Sequence, residues 1–168
     1  MSPIEAVKIF HVTNANGHRN LGVKIADIET CRKVSVEYTI SAIAAFSQLA
    51  SSSQKPFRFV FMSGFLSSRD QSKSLWFLQD GRRLKGQAET LLLEANEAKS
   101  MDAYVLRPAS VLPKEVSIRK FIQGLAINVG VAELGAAALH LSVNGGEKSL
   151  LENSELVKLG RFALAETK

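Results

Sequence analysis

Three polar side chains stand where their types could do chemistry. Ser63 follows the apolar run Phe57-Arg58-Phe59-Val60-Phe61-Met62, Lys85 lies within Leu84-Lys85-Gly86-Gln87-Ala88-Glu89, and Arg107-Pro108 closes Tyr104-Val105-Leu106. The two apolar runs read as buried strands and the segment between them as a helix. The serine and the arginine then fall at strand C-terminal ends, outside which open parallel sheets bind their ligands. A hydroxyl and an amine facing one cleft there are groups that position oxygens and move protons. The plain alternatives are a small residue ending a strand, a surface lysine near a helix start, and a proline that stops pairing.

The elements that must position these groups can be read along the chain. Ala6 to Val12 is a β-branched apolar run closed by the turn residues Thr13-Asn14-Ala15-Asn16-Gly17. Asp27 to Leu49 carries Ile28, Val36, Ile40, Ile43 and Phe46 at helical spacing, with Asp27 as N-cap. Phe65 to Asp80 is an irregular polar stretch holding the only tryptophan, Trp76. Long loops of this kind after strands carry ligand contacts in α/β proteins.

Leu84 to Lys99 reads as an amphipathic helix with Leu84, Ala88, Leu91, Leu92 and Ala95 inward and Glu89, Glu94 and Glu97 outward. Asp102 to Leu106 is the next strand. Helices are expected over Lys114 to Asn128 and Val131 to Leu141, then a break at Gly145-Gly146, a short strand near Leu150 and a terminal helix. Alternating strands and helices of these lengths specify an α/β fold with a parallel sheet and right-handed crossovers. The strand near Val7 to Val12 would form an exposed apolar edge, open to a second copy of the chain and hence to a homodimer.

Composition narrows the classes. At 168 residues and 46% hydrophobic content the chain is expected to be one domain, residues 1–168. A net charge of +5 is mild, and its densest basic group, Arg82-Arg83-Lys85, reads as a solvated helix face rather than a nucleic-acid patch. One cysteine, Cys31, excludes an internal disulfide and a cysteine-based metal site. His11, His18 and His140 share no ligand spacing, so no metal is expected. The N-terminal residues show no secretory pattern. The apolar stretch Phe121 to Val143 contains Gln123, Asn128, Glu133 and His140, which argues against a membrane span. A cytoplasmic protein is expected.

The order strand-Ser63-Gly64, helix with Lys85-Gly86-Gln87-Ala88-Glu89, strand-Arg107-Pro108-Ala109-Ser110 resembles the C-terminal portion of the short-chain dehydrogenase/reductase family. The similar branch is the atypical or extended one, which includes nucleoside-diphosphate-sugar epimerase-like proteins of fungal type. Met62-Ser63-Gly64 followed by Arg69-Asp70-Gln71 is among the residues that carry the likeness, as is Leu151-Glu152-Asn153-Ser154-Glu155-Leu156.

The resemblance implies a three-layer sandwich, a partial doubly wound, Rossmann-like parallel sheet lacking its first strands, and NAD(P) as cofactor. It implies catalytic roles for Ser63, which would hold the reacting oxygen, and for Lys85, which would hold the ribose and lower the pKa of a tyrosine four residues before it. It implies cofactor contacts at Thr13 and Asn14, and at Arg107, Pro108, Ala109 and Ser110.

The tyrosine position is Gly81. No glycine-rich phosphate-binding turn, G-x-x-G-x-x-G or G-x-G-x-x-G, occurs in the chain. Two functions follow. The first is an NAD(P)-dependent oxidoreductase-like protein acting on a small molecule, in secondary metabolism by analogy, with impaired cofactor binding. The second is a catalytically inactive fragment that serves as a binding or interaction module.

Overall fold

A computed structural model describes residues 9–10, 28–52, 57–76, 79–112 and 128–166. The strands are β1 (Ile9–Phe10), β2 (Arg58–Met62), β3 (Asp102–Arg107), β4 (Ser110–Leu112), β5 (Asn128–Gly130) and β6 (Leu150–Glu152). The helices are α1 (Ile28–Arg32), which runs through a π-helical turn (Lys33–Glu37) into α2 (Tyr38–Ser52), then α3 (Gln79–Glu97), α4 (Val131–Asn144) and α5 (Asn153–Glu166). The expectations at Thr13, Asn14, His11 and His18 lie outside the described residues, as does most of the helix expected from Lys114. Its last residue, Asn128, opens β5 instead.

β1, β2, β3 and β6 form one parallel sheet in that order, and β4 and β5 a second parallel pair. β2 and β3 are adjacent and parallel over their whole length, Phe59 opposite Ala103 and Phe61 opposite Val105. Only a strand covered on both faces can be apolar at consecutive positions, and Phe59, Val60 and Phe61 are all buried.

Their side chains alternate between two cores, because successive strand residues point to opposite faces. Phe59, Phe61, Ala103 and Val105 pack with Phe46 of α2 and with Ala88 and Leu92 of α3. Val60, Tyr104, Leu106 and Leu151 pack with Leu134, Ala137, Ala138 and Leu141 of α4 and with Leu156 of α5. Each fully buried Val, Leu or Phe side chain among them contributes about 1.5–3 kcal/mol.

α4 ends where Gly145 adopts φ 77°, a left-handed conformation that suits glycine, and donates its N–H to Leu141 at 2.9 Å. Gly160 of α5 is needed for a different reason. A Cβ there would lie 2.1 Å from the Glu133 carbonyl oxygen, so its absence lets the two helices touch. The Glu133 carboxylate bonds the Gly130 N–H at 3.0 Å and Arg161 Nε at 2.8 Å, tying the first turn of α4 to α5. No helix among the described residues is long and apolar enough to cross a membrane.

Candidate functional site

The site is built where β2, β3 and β6 end. Ser63 continues the ladder past β2, its N–H bonding the Leu106 carbonyl at 2.8 Å, and Phe65 N–H bonds the Pro108 carbonyl at 3.1 Å. The loop after Ser63 then turns back onto α3. Ser68 N–H bonds the Arg82 carbonyl at 3.0 Å, and Arg82 Nε bonds the Leu66 carbonyl at 2.6 Å. Farther along, Arg83 reaches the Lys73 carbonyl at 2.9 Å. Arg82 and Arg83 are therefore loop clamps, a correction to the reading of a solvated basic face. α3 also begins at Gln79, earlier than expected, which brings both arginines and Gly81 into the helix.

The loop can lie this close because residue 86 is glycine. A Cβ on Gly86 would stand 1.8 Å from the Ser68 carbonyl oxygen and 2.1 Å from its carbon. Backbone hydrogen bonds and a forced close approach together fix the Gly64 to Ser68 segment against α3.

Beneath that segment lies a buried ionic chain. Glu89, expected to point outward, is 0% exposed, a correction that changes the reading of the site. It accepts a hydrogen bond from the Ser63 hydroxyl and forms a two-pronged pair with Arg107, whose Nε stands 3.0 and 3.2 Å from the two carboxylate oxygens and whose second nitrogen also bonds it. Arg107 reaches on to Glu152 at 2.9 Å. The bonds to Glu89 come first among the reasons that the guanidinium is held above its ordinary pKa, burial working against them. A carboxylate sunk in the core is tolerated only when it is paired and its lone pairs are used.

Glu89, bonded to a guanidinium, is an acceptor only, so the single proton of Ser63 is donated to it. In the 2.9 Å contact between the Ser63 and Ser67 hydroxyls, Ser67 must then be the donor. Ser63 can accept from a ligand but has no proton to offer one while it holds Glu89.

Lys85 stands on α3 one turn before Glu89, and its amine lies 3.7 Å from where a Cβ of Gly64 would be. Ser63 and Lys85 are thus brought to the same end of the sheet. Burial pushes the Lys85 ammonium below the usual lysine range, and the Glu89 charge opposes that shift. No described residue accepts a hydrogen bond from this amine.

Gly81 lies on α3 one turn before Lys85. Neither tyrosine replaces a side chain there. Tyr104 is buried on the opposite face of the sheet with its oxygen 3.0 Å from Gly146 N–H, and Tyr38 is exposed on α2. The other described residues at which the resemblance implied cofactor contacts make contacts within the chain. Arg107 is paired as above, the Pro108 carbonyl accepts from Phe65, and Ala109 N–H bonds Asn153 Oδ1 at 2.9 Å. Ser110 pairs in β4 with Asn128.

The Arg107 side chain, the Pro108 carbonyl and the Ala109 N–H are thus already bonded within the chain, and no glycine-rich turn in the sequence supplies phosphate donors. Among the described residues, these groups do not form the phosphate grip that a dinucleotide needs. No group of three His, Cys, Asp or Glu side chains among the described residues could hold a metal ion. Glu89, Ser67, Glu152 and Asn153 were not singled out for the site by sequence. The available signal was the spacing of Lys85, Glu89, Leu92 and Asn96 along one stripe of α3, which places Glu89 beside inward residues. No protein-family model, curated protein or solved structure matches this chain.

Proposed function

We propose that the chain is a short-chain dehydrogenase/reductase-like module, corresponding to the C-terminal part of a doubly wound, three-layer, Rossmann-like domain. In this reading it binds a small molecule at the C-terminal ends of its strands without transferring hydride. The observation that carries the reading is the commitment of the Ser63 proton to a buried, arginine-paired carboxylate. The family's chemistry needs a serine that can hold a reacting oxygen and a tyrosine that can move a proton. Here the first would have to break its bond to Glu89, and the second position is Gly81.

The test is a turnover assay. Purified chain is mixed with NADPH and, in separate wells, small aldehydes and ketones, and the dihydronicotinamide absorbance is followed. No loss of absorbance beyond the protein-free rate is expected. Loss that depends on protein and disappears in Ser63→Ala contradicts the reading.

One observation favours a second reading, that of an NAD(P)-dependent oxidoreductase acting on a small molecule. Lys85 is desolvated and its amine lies beside Gly64, the residue after Ser63, and a serine and a lysine at one strand end are the pairing on which such chemistry draws. That reading requires a proton donor from outside the described residues, and the same assay decides between the two.

A further inference from the structure

The geometry points to a carboxylate-binding cradle at Gly64, in which the Lys85 ammonium and the Ser67 hydroxyl grip one oxygen of a small carboxylic acid. The inference rests on the reading of a ligand-binding end of the sheet and names the class of ligand bound there.

Gly64 has an open side. Among the described residues, a Cβ built on it meets two atoms within 4 Å, Lys85 Nζ at 3.7 Å and Ser67 Oγ at 3.9 Å. An oxygen entering beside this point would therefore approach one ammonium and one hydroxyl at once. The ammonium has three N–H donors and no acceptor among the described residues. A cation stripped of much of its water in this way gains most from an anionic oxygen, through a short charge-assisted hydrogen bond.

The hydroxyl can join in at small cost. Ser67 now gives its proton to Ser63, but Ser63 is anchored by its own bond to Glu89, so Ser67 can redirect that proton to a bound oxygen. The cradle is held in place before anything binds, because the Gly86 approach and the Ser68 and Arg82 bonds fix its loop to α3. Preorganised donors of this kind spend little free energy on ordering.

A carboxylate suits the site better than a dinucleotide phosphate. One ammonium and one hydroxyl match a single planar anion, whereas a pyrophosphate needs the row of backbone N–H donors of a glycine-rich turn, a motif absent from the sequence.

The test uses NMR of the intact chain with carbon-labelled lysine, titrated with sodium benzoate and, at equal ionic strength, with sodium chloride. A Lys85→Arg variant assigns the resonance. Benzoate should shift the Lys85 side-chain signal saturably and raise its pKa, while chloride does neither.

Gly64→Ala is the deciding variant. Its methyl fills the cradle at ordinary contact distances, so the fold and the Lys85 titration without benzoate should be retained. Benzoate binding should weaken roughly tenfold or more, the loss of one charge-assisted hydrogen bond. A Lys85 signal that benzoate moves no more than chloride does, or equal binding by Gly64→Ala, overturns the inference. Either result leaves the turnover assay, and with it the reading of a silent module, standing on its own.

Discussion

Glu89 shows how one side chain decides what its neighbours can do. Removing it takes away the buried partner of the Arg107 guanidinium and leaves only the part-exposed Glu152, and breaking a buried pair in this way costs about 3–5 kcal/mol. Glu89→Ala is therefore expected to lower the denaturation midpoint steeply. Ser63→Ala, which leaves the ion pair intact, should cost no more than about 1–3 kcal/mol. Equal losses in chemical denaturation of the two variants would contradict the network as described.

At the residue scale the sequence reveals part of the site. Ser63 and Lys85 could be found because each adjoins a legible element, a strand end and a helix stripe. Glu89 and Arg107 could not be paired in advance. Their bond joins α3 to the end of β3, and a charged residue on an amphipathic helix reads as outward until its partner across the core is known. Glycine has no side chain to read, and only the folded chain brings an amine to the space beside Gly64.

Among the elements, α4 and α5 depend on one glycine and one carboxylate. Gly160→Ala would drive a methyl into the Glu133 carbonyl, and forced separation of packed helices costs about 1–3 kcal/mol or more. A thermal midpoint unchanged by that substitution would mean that the helices do not meet as closely as they do here.

The Glu133 carboxyl is held below its ordinary value of 4.5, chiefly by the Arg161 hydrogen bond and then by the Gly130 N–H. A carboxylate whose folded pKa is depressed adds stability above its unfolded pKa, and that contribution disappears as the pH falls through the folded one. The margin of the wild type over Glu133→Gln should accordingly be level at neutral pH, shrink below about 4.5 and be smaller in high salt. Denaturation curves at a series of pH values check it, and a margin that grows on acidification would contradict the assignment.

Element types were legible because apolar periodicity and glycine breaks are local signals. The early start of α3 was not, since Gln79 to Arg83 is polar and its arginines are held by a loop that folds back from Ser63 to Lys73. The π-helical turn between α1 and α2 likewise left no mark in a pattern of apolar spacing.

For the whole molecule, the alternation of strand and helix made the parallel sheet legible, and the buried runs made β2 and β3 its neighbours at the centre. β1 stands at one edge of the sheet, paired with β2 alone in the described sheet. An edge of this kind is a template for another chain, and we propose that two copies pair through it. Sedimentation at rising concentration should then show a monomer–dimer equilibrium, and a monomer throughout would contradict the pairing.

The proposed module, dehydrogenase-like but without hydride transfer, is tested most directly by cofactor affinity. Anionic phosphates leave water only for preorganised N–H donors, and the sequence has no glycine-rich turn to present them. Titration calorimetry of the purified chain with NADPH is predicted to give no saturable heat in the micromolar range. Saturable one-to-one binding at micromolar concentration would contradict the account.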